Sequence, residues 1–121
     1  MKKVVLLLAL FALSTVMSWA VPTGLYKATR GSAQFTINND GYLYMLDSNG
    51  YVKYIYDDNG NIISGSVYEI VEEKNEGDYY TFRLRHKYSG NMQPGYSGWR
   101  YHNGEVEIET SLNPTRTFIL Q

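Results

Sequence analysis

The sequence predicts an all-β protein: an antiparallel meander closing into a small up-and-down barrel of about 8–9 strands, with a β-sandwich as the alternative. Three observations carry this expectation. Apolar and polar residues alternate with period two in segments rich in Tyr, Val, Ile, Thr and Phe, as in strands with one buried face. Asx-Gly pairs recur at short intervals (Asp40-Gly41, Asn49-Gly50, Asn59-Gly60, Asn103-Gly104), and such pairs reverse a chain between strands. Beyond residue 20, no stretch sustains the i, i+3, i+4, i+7 spacing of an amphipathic helix. A meander that closes on itself leaves no exposed sheet edge.

Residues 1–20 read as a signal peptide of bacterial type. Lys2 and Lys3 form its positive start, "VVLLLALFAL" its apolar centre, and Ser18 and Ala20 are the small residues before a cut at Ala20. The apolar run is short for a membrane span of about 20 residues. Residues 21–121 then form a single antiparallel β domain, enough for one modest core. The expected location is secreted or periplasmic, with no transmembrane segment after cleavage.

Composition removes several classes of function. There is no cysteine, so packing and strand pairing must do what disulfides do in many small exported domains. The 11 Lys and Arg fall short of the 12 Asp and Glu, and two of the lysines leave with the leader. An acidic remainder argues against nucleic acid as a partner, because phosphate binding needs a basic face.

The elements follow in order. "GLYKATR" (24–30) opens the domain as a strand, and Gly31-Ser32 turns it into "AQFTINN" (33–39). If Asp40-Gly41, Asn49-Gly50 and Asn59-Gly60 are two-residue turns, Phe35 faces Leu46, Ile37 faces Tyr44 and Tyr44 faces Ile55. Phe35, Ile37, Tyr44, Leu46 and Ile55 then share one interior face. An EF-hand reading of "DDNGN" (57–61) fails, because glycine comes too early and no glutamate closes the loop. "IISGSVYEIVEE" (62–73) reads as one long strand, with Gly65 a bulge or bend. In "YYTFRLRHKY" (79–88), Tyr80, Phe82, Leu84, His86 and Tyr88 share a face, and in "EVEIET" (105–110) Val106 and Ile108 turn inward. "WRYH" (99–102) pairs with that last segment across Asn103-Gly104. Asn113-Pro114 leads into the final strand "TRTFILQ" (115–121).

Gly24-Leu25-Tyr26 resembles the Gly-x-Trp opening of lipocalin-like (calycin-type) barrels, with Tyr in place of Trp. Arg116 on the last strand resembles the basic residue that packs over that aromatic. The resemblance covers two short segments. It implies a cup that holds one small apolar or amphipathic ligand.

The expected function is binding without catalysis, and no cofactor or metal is called for. His86 and His102 are the two histidines, sixteen positions apart, and neither a cysteine nucleophile nor a phosphate-binding glycine loop is present. Asp57 and Asp58 are adjacent and would point to opposite faces of a strand. The candidate ligand-binding residues are Tyr44, Ile55, Phe82 and Leu84 inside the barrel. Met92, Tyr96 and Trp99 join them from the glycine-rich stretch 89–99, read either as a lid or as a core plug, with Arg100 beside it. The alternative is a protein-interaction or inhibitor module of the cell envelope, using that loop and some of the 12 tyrosines as a docking surface on an envelope or host protein.

Overall fold

The computed structural model describes residues 21–112 and 116–121. The expected signal peptide, residues 1–20, and the Asn113-Pro114 pair lie outside the described residues. Ten strands follow in chain order: β1 (Gly24–Ala28), β2 (Gln34–Ile37), β3 (Tyr42–Leu46), β4 (Tyr54–Tyr56), β5 (Ile62–Gly65), β6 (Val67–Asn75), β7 (Tyr80–His86), β8 (Ser97–His102), β9 (Glu105–Glu109) and β10 (Thr117–Leu120). Eight of them close an antiparallel barrel in the order β1-β10-β9-β8-β7-β6-β3-β2, while β4 and β5 pair only with each other. The expected small up-and-down barrel is the fold, with a two-stranded ribbon inserted between β3 and β6. The stretch 62–73 is therefore two strands: β5 belongs to the ribbon, β6 to the barrel wall, and the chain passes between them at Ser66.

Alternation fills the interior. Tyr26, Phe35, Leu43, Phe82, Leu84 and Ile108 expose no surface at all, so not even a water-sized void touches them. Trp99 and Phe118 are almost as buried. Tyr26 stacks on Phe35 at 5.1 Å between ring centres, Phe35 meets Phe118 at 4.6 Å, and Trp99 stacks on Tyr80 at 4.4 Å. The face expected for β7 holds for Phe82 and Leu84, as does the Val106–Ile108 face of β9.

The register of the first hairpins departs from expectation by one residue. Ile37 is opposite Leu43 and Phe35 opposite Met45, not Tyr44 and Leu46. The cause is the turn. Asn38 N–H donates to Tyr42 O and Gly41 N–H to Asn38 O; Asp47 N–H donates to Tyr51 O and Gly50 N–H to Asp47 O; Asp57 N–H donates to Asn61 O and Gly60 N–H to Asp57 O. Each loop therefore has three residues, and only its glycine sits at positive φ: 83° at Gly41, 87° at Gly50, 83° at Gly60. An Asx three residues before the glycine sets this up. Asp47 accepts the N–H groups of Asn49 and Tyr51, and Asp57 those of Asn59 and Asn61. Asn103-Gly104 is the two-residue turn, with both residues at positive φ (53° and 82°) and His102 opposite Glu105.

Because side chains alternate, a slip of one residue exchanges faces. Leu43 goes inside, and Tyr44 goes outside, where its hydroxyl donates to Asp40. That hydrogen bond, with partial burial, pushes the Tyr44 phenol up to about 12.

These turn geometries separate two adjacent substitutions. Gly50→Val should cost about 1–2 kcal/mol, because nothing crowds the site but the left-handed backbone resists a side chain. Asn49→Ala should stay within about 0.5 kcal/mol, since its φ is not positive. Urea denaturation of the two variants checks this: equal losses would restore the two-residue turn.

Candidate functional site: an apolar ribbon on a filled barrel

The ribbon begins where β3 runs out of barrel. Leu46 bridges to Val52 beyond the Asp47 turn, and Lys53 N–H donates to Met45 O while Met45 N–H donates to Ser66 O. From this root β4 and β5 leave the wall. Tyr54 pairs with Gly65 and Ile55 with Ser64; then a bulge sets Tyr56 opposite Ile62. Gly65 is required at the root because a Cβ there would meet the Tyr54 ring at 2.7 Å and the Lys53 carbonyl at 3.1 Å.

A histidine clamps the same place. His86, at the end of β7, lies 2.7 Å from Gly65 O through Nε2. Its Nδ1 accepts from the Ser89 N–H at 3.1 Å, which leaves the proton on Nε2 to be donated to Gly65 O. His86 is thus a structural tie between the barrel and the ribbon.

Beyond the root, the ribbon carries apolar side chains in water. Ile55 is 57% exposed, Tyr56 56%, Ile63 56% and Ile62 44%. Tyr51, beside the root, is also exposed. Tyr54 and Tyr56 meet edge to face at 6.3 Å. Both faces of the ribbon are apolar: Tyr54, Tyr56 and Ile62 share one, and Ile55 lies on the other. Its tip is acidic. Asp57 and Asp58 sit in the turn rather than in a strand, and the backbone N–H donors of Asn61 and Asn59 hold the Asp57 carboxyl below its usual range. Isolated two-stranded ribbons are marginal in water, and apolar ones with two free edges are prone to pairing.

The structure disperses the residues expected to line one ligand site. Phe82 and Leu84 are in the core. Tyr44 is on the outer wall and Ile55 on the ribbon, a consequence of the register and of the departure of β4. Trp99 belongs to β8 and is a core residue stacked on Tyr80. Met92 bridges to Arg85, while His86 N–H and Gln93 N–H bond Asn91 O and Leu84 O, so this part of the loop extends the wall beside β7. Tyr96 is exposed, with the Arg83 guanidinium 5.3 Å from its ring centre. Arg100 is exposed on the outer wall and pairs with Glu107 at 3.1 Å.

One mouth of the barrel holds a hollow of about 440 Å³, with Ala33, Met45, Leu112 and Phe118 as apolar lining, Lys53 and Arg116 as cations and Asp47 as an anion. The resemblance implied Arg116 over Tyr26; its guanidinium donates to Arg30 O at 3.2 Å, while the Tyr26 hydroxyl donates to Pro22 O at 2.6 Å. Among the described residues no three His, Asp or Glu side chains gather as metal ligands.

A scan of protein-family models and searches of curated proteins and solved structures find no match to this chain. The fold and its surface chemistry therefore carry the functional argument.

Removing the clamp should be felt. His86→Ala leaves Gly65 O and the Ser89 N–H without their partner and should cost about 1–3 kcal/mol, whereas His102→Ala, on an exposed residue, should stay within about 0.5 kcal/mol. Denaturation midpoints measure both, and ¹⁵N NMR should show His86 as the Nε2–H tautomer.

Proposed function

We propose that this protein acts by binding, as an exported interaction module that docks its β4–β5 ribbon into an apolar cleft of an envelope or host protein. The single observation that carries this reading is the exposure of Ile55, Tyr56, Ile62 and Ile63 on a ribbon whose barrel has its core already filled. Asp57 and Asp58 at the tip give the cleft its expected chemistry, with basic residues at its far end. The leader-like residues 1–20 support delivery across a membrane.

A photo-crosslinking residue at position 56, compared with one at Glu105 on the opposite wall, tests the docking. An adduct with a second protein should form from position 56 alone and should be lost when Asp57 and Asp58 are changed to Lys. An adduct of twice the chain's own mass would make a second copy the occupant. Equal labelling from Glu105 would overturn the ribbon as the docking element.

A second reading rests on the mouth hollow. Its apolar lining beside Lys53, Arg116 and Asp47 suits one small amphipathic ligand with a polar head, held by Met45, Leu112 and Phe118 rather than by Phe82 and Leu84. Native mass spectrometry of the exported protein should then show a retained small molecule that Lys53→Ala releases. A bare chain mass in both would set this reading aside.

A further inference from the structure

The barrel end opposite the mouth hollow is closed by the first residues of the domain. Val21 is only 6% exposed and belongs to the core cluster, and the Tyr26 hydroxyl holds the Pro22 carbonyl. The Val21 nitrogen lies 3.3 Å from Glu73 Oε1. Glu73 lies on the exposed rim of this end, where its carboxylate accepts from that backbone nitrogen. The backbone around it is also unusual. The β6–β7 register shifts between Val71 and Lys74, and Glu72 sits at φ 52°, a conformation that costs a side-chain-bearing residue. Val71 opposes Arg83 and Lys74 opposes Thr81, so Glu72 and Glu73 together oppose the inward-facing Phe82. The bulge sets Glu73 opposite Phe82 at the exposed rim of this end, within reach of the Val21 nitrogen.

We propose that removal of the leader completes this site: cleavage turns the Val21 nitrogen into an α-ammonium, which forms an ion pair with Glu73 and locks the closed end of the barrel. The proposal rests on the leader reading of residues 1–20. Hydrolysis breaks the Ala20–Val21 amide; the water oxygen stays on the new Ala20 carboxylate, and the Val21 nitrogen takes up protons to become the ammonium. The cut must precede completion of the fold, because Val21 is buried once the barrel has formed.

The surroundings favour the pair. Val21, Pro22, Thr23, Ile37, Asn38, Asn39, Gly41 and Ile70 line this end with Glu73, and Glu73 is the one ionisable group among them. Of the nearby charges, Asp40 is bonded to Tyr42 N–H and the Tyr44 hydroxyl and Lys74 to Glu76 at 3.7 Å, while Glu72 is exposed beside Glu73 on the bulge. The phenols of Tyr26, buried on β1, and Tyr101, exposed on β8, are further titratable groups at this end. Facing an amide nitrogen, Glu73 is raised above its usual range by burial, with the Val21 N–H pulling the other way. An ammonium in the same position reverses the balance.

The test uses the full chain exported through its own leader. Intact mass decides the leader reading: a mature chain starting at Val21 is required. NMR titration then follows the Val21 α-amine and the Glu73 carboxyl. The amine should titrate at least about one unit above the usual 7.7–8.0, and Glu73 should fall below the usual carboxylate range. In E73Q the amine should return to the usual range, and in E72G, which eases the backbone and keeps the bulge, the shift should persist. By linkage the pair stabilises the fold between those two titrations. Its contribution disappears in acid as Glu73 protonates and in alkali as the amine deprotonates. A chain that begins at Val21 but whose amine titrates normally would overturn the ion pair and leave the leader reading intact. A cut elsewhere would overturn the leader reading itself.

Discussion

Everything else in this molecule hangs on the seam at β1. That strand hydrogen-bonds β2 on one side and β10 on the other, so the first and last strands of the described chain meet and the sheet has no edge there. Tyr26 sits under the seam with no exposed surface, stacked on Phe35, while Phe35 reaches Phe118 on β10. Burial raises the Tyr26 phenol well above its ordinary range, so it stays neutral and its hydroxyl serves as a donor to Pro22. A domain this small with no cysteine relies on such contacts: closure pairs both edges of the sheet, and the aromatic stack packs beneath the strands that meet there.

Closure also limits what the interior can hold. Core side chains with no accessible surface leave no interior room for a ligand at Phe82 or Leu84. What the barrel does not absorb is the ribbon, whose apolar residues exceed the needs of a two-stranded element in water. The same wall that satisfies the strands of the barrel leaves β4 and β5 with one free edge each. The proposed docking role rests on this contrast between a filled barrel and an apolar arm.

Much of the architecture was legible in the sequence because alternation is a strong signal wherever one face is buried, as at Phe82 and Leu84 or at Val106 and Ile108. The register of the first hairpins was not read correctly, although its signal was present. Asn38, Asp47 and Asp57 each precede a turn glycine by three residues and make three-residue loops, whereas Tyr101 holds that place before Gly104, where the two-residue turn forms. The one-residue difference moved Tyr44 from the inner face to the outer one. The ribbon was harder to see. Ile55 and Ile62 look like barrel residues, since alternation reports a strand but not which sheet it joins. Only the Tyr54–Gly65 contact and the break at Ser66 mark the departure. Glu73 was invisible for a related reason: its approach to the Val21 nitrogen depends on a bulge at Glu72, a residue type that gives no warning of positive φ.

The central claim is that barrel and ribbon are energetically separate, one holding the fold and the other free to bind. Native-state hydrogen exchange tests it most directly, because it reads the opening free energy of each strand. The account predicts that the amides of Tyr26, Phe35, Phe82 and Ile108 exchange only through global unfolding, while Ile55 and Ser64 exchange through local opening at far lower free energy. Protection of the ribbon equal to that of the barrel would contradict it, and would make β4 and β5 part of the core.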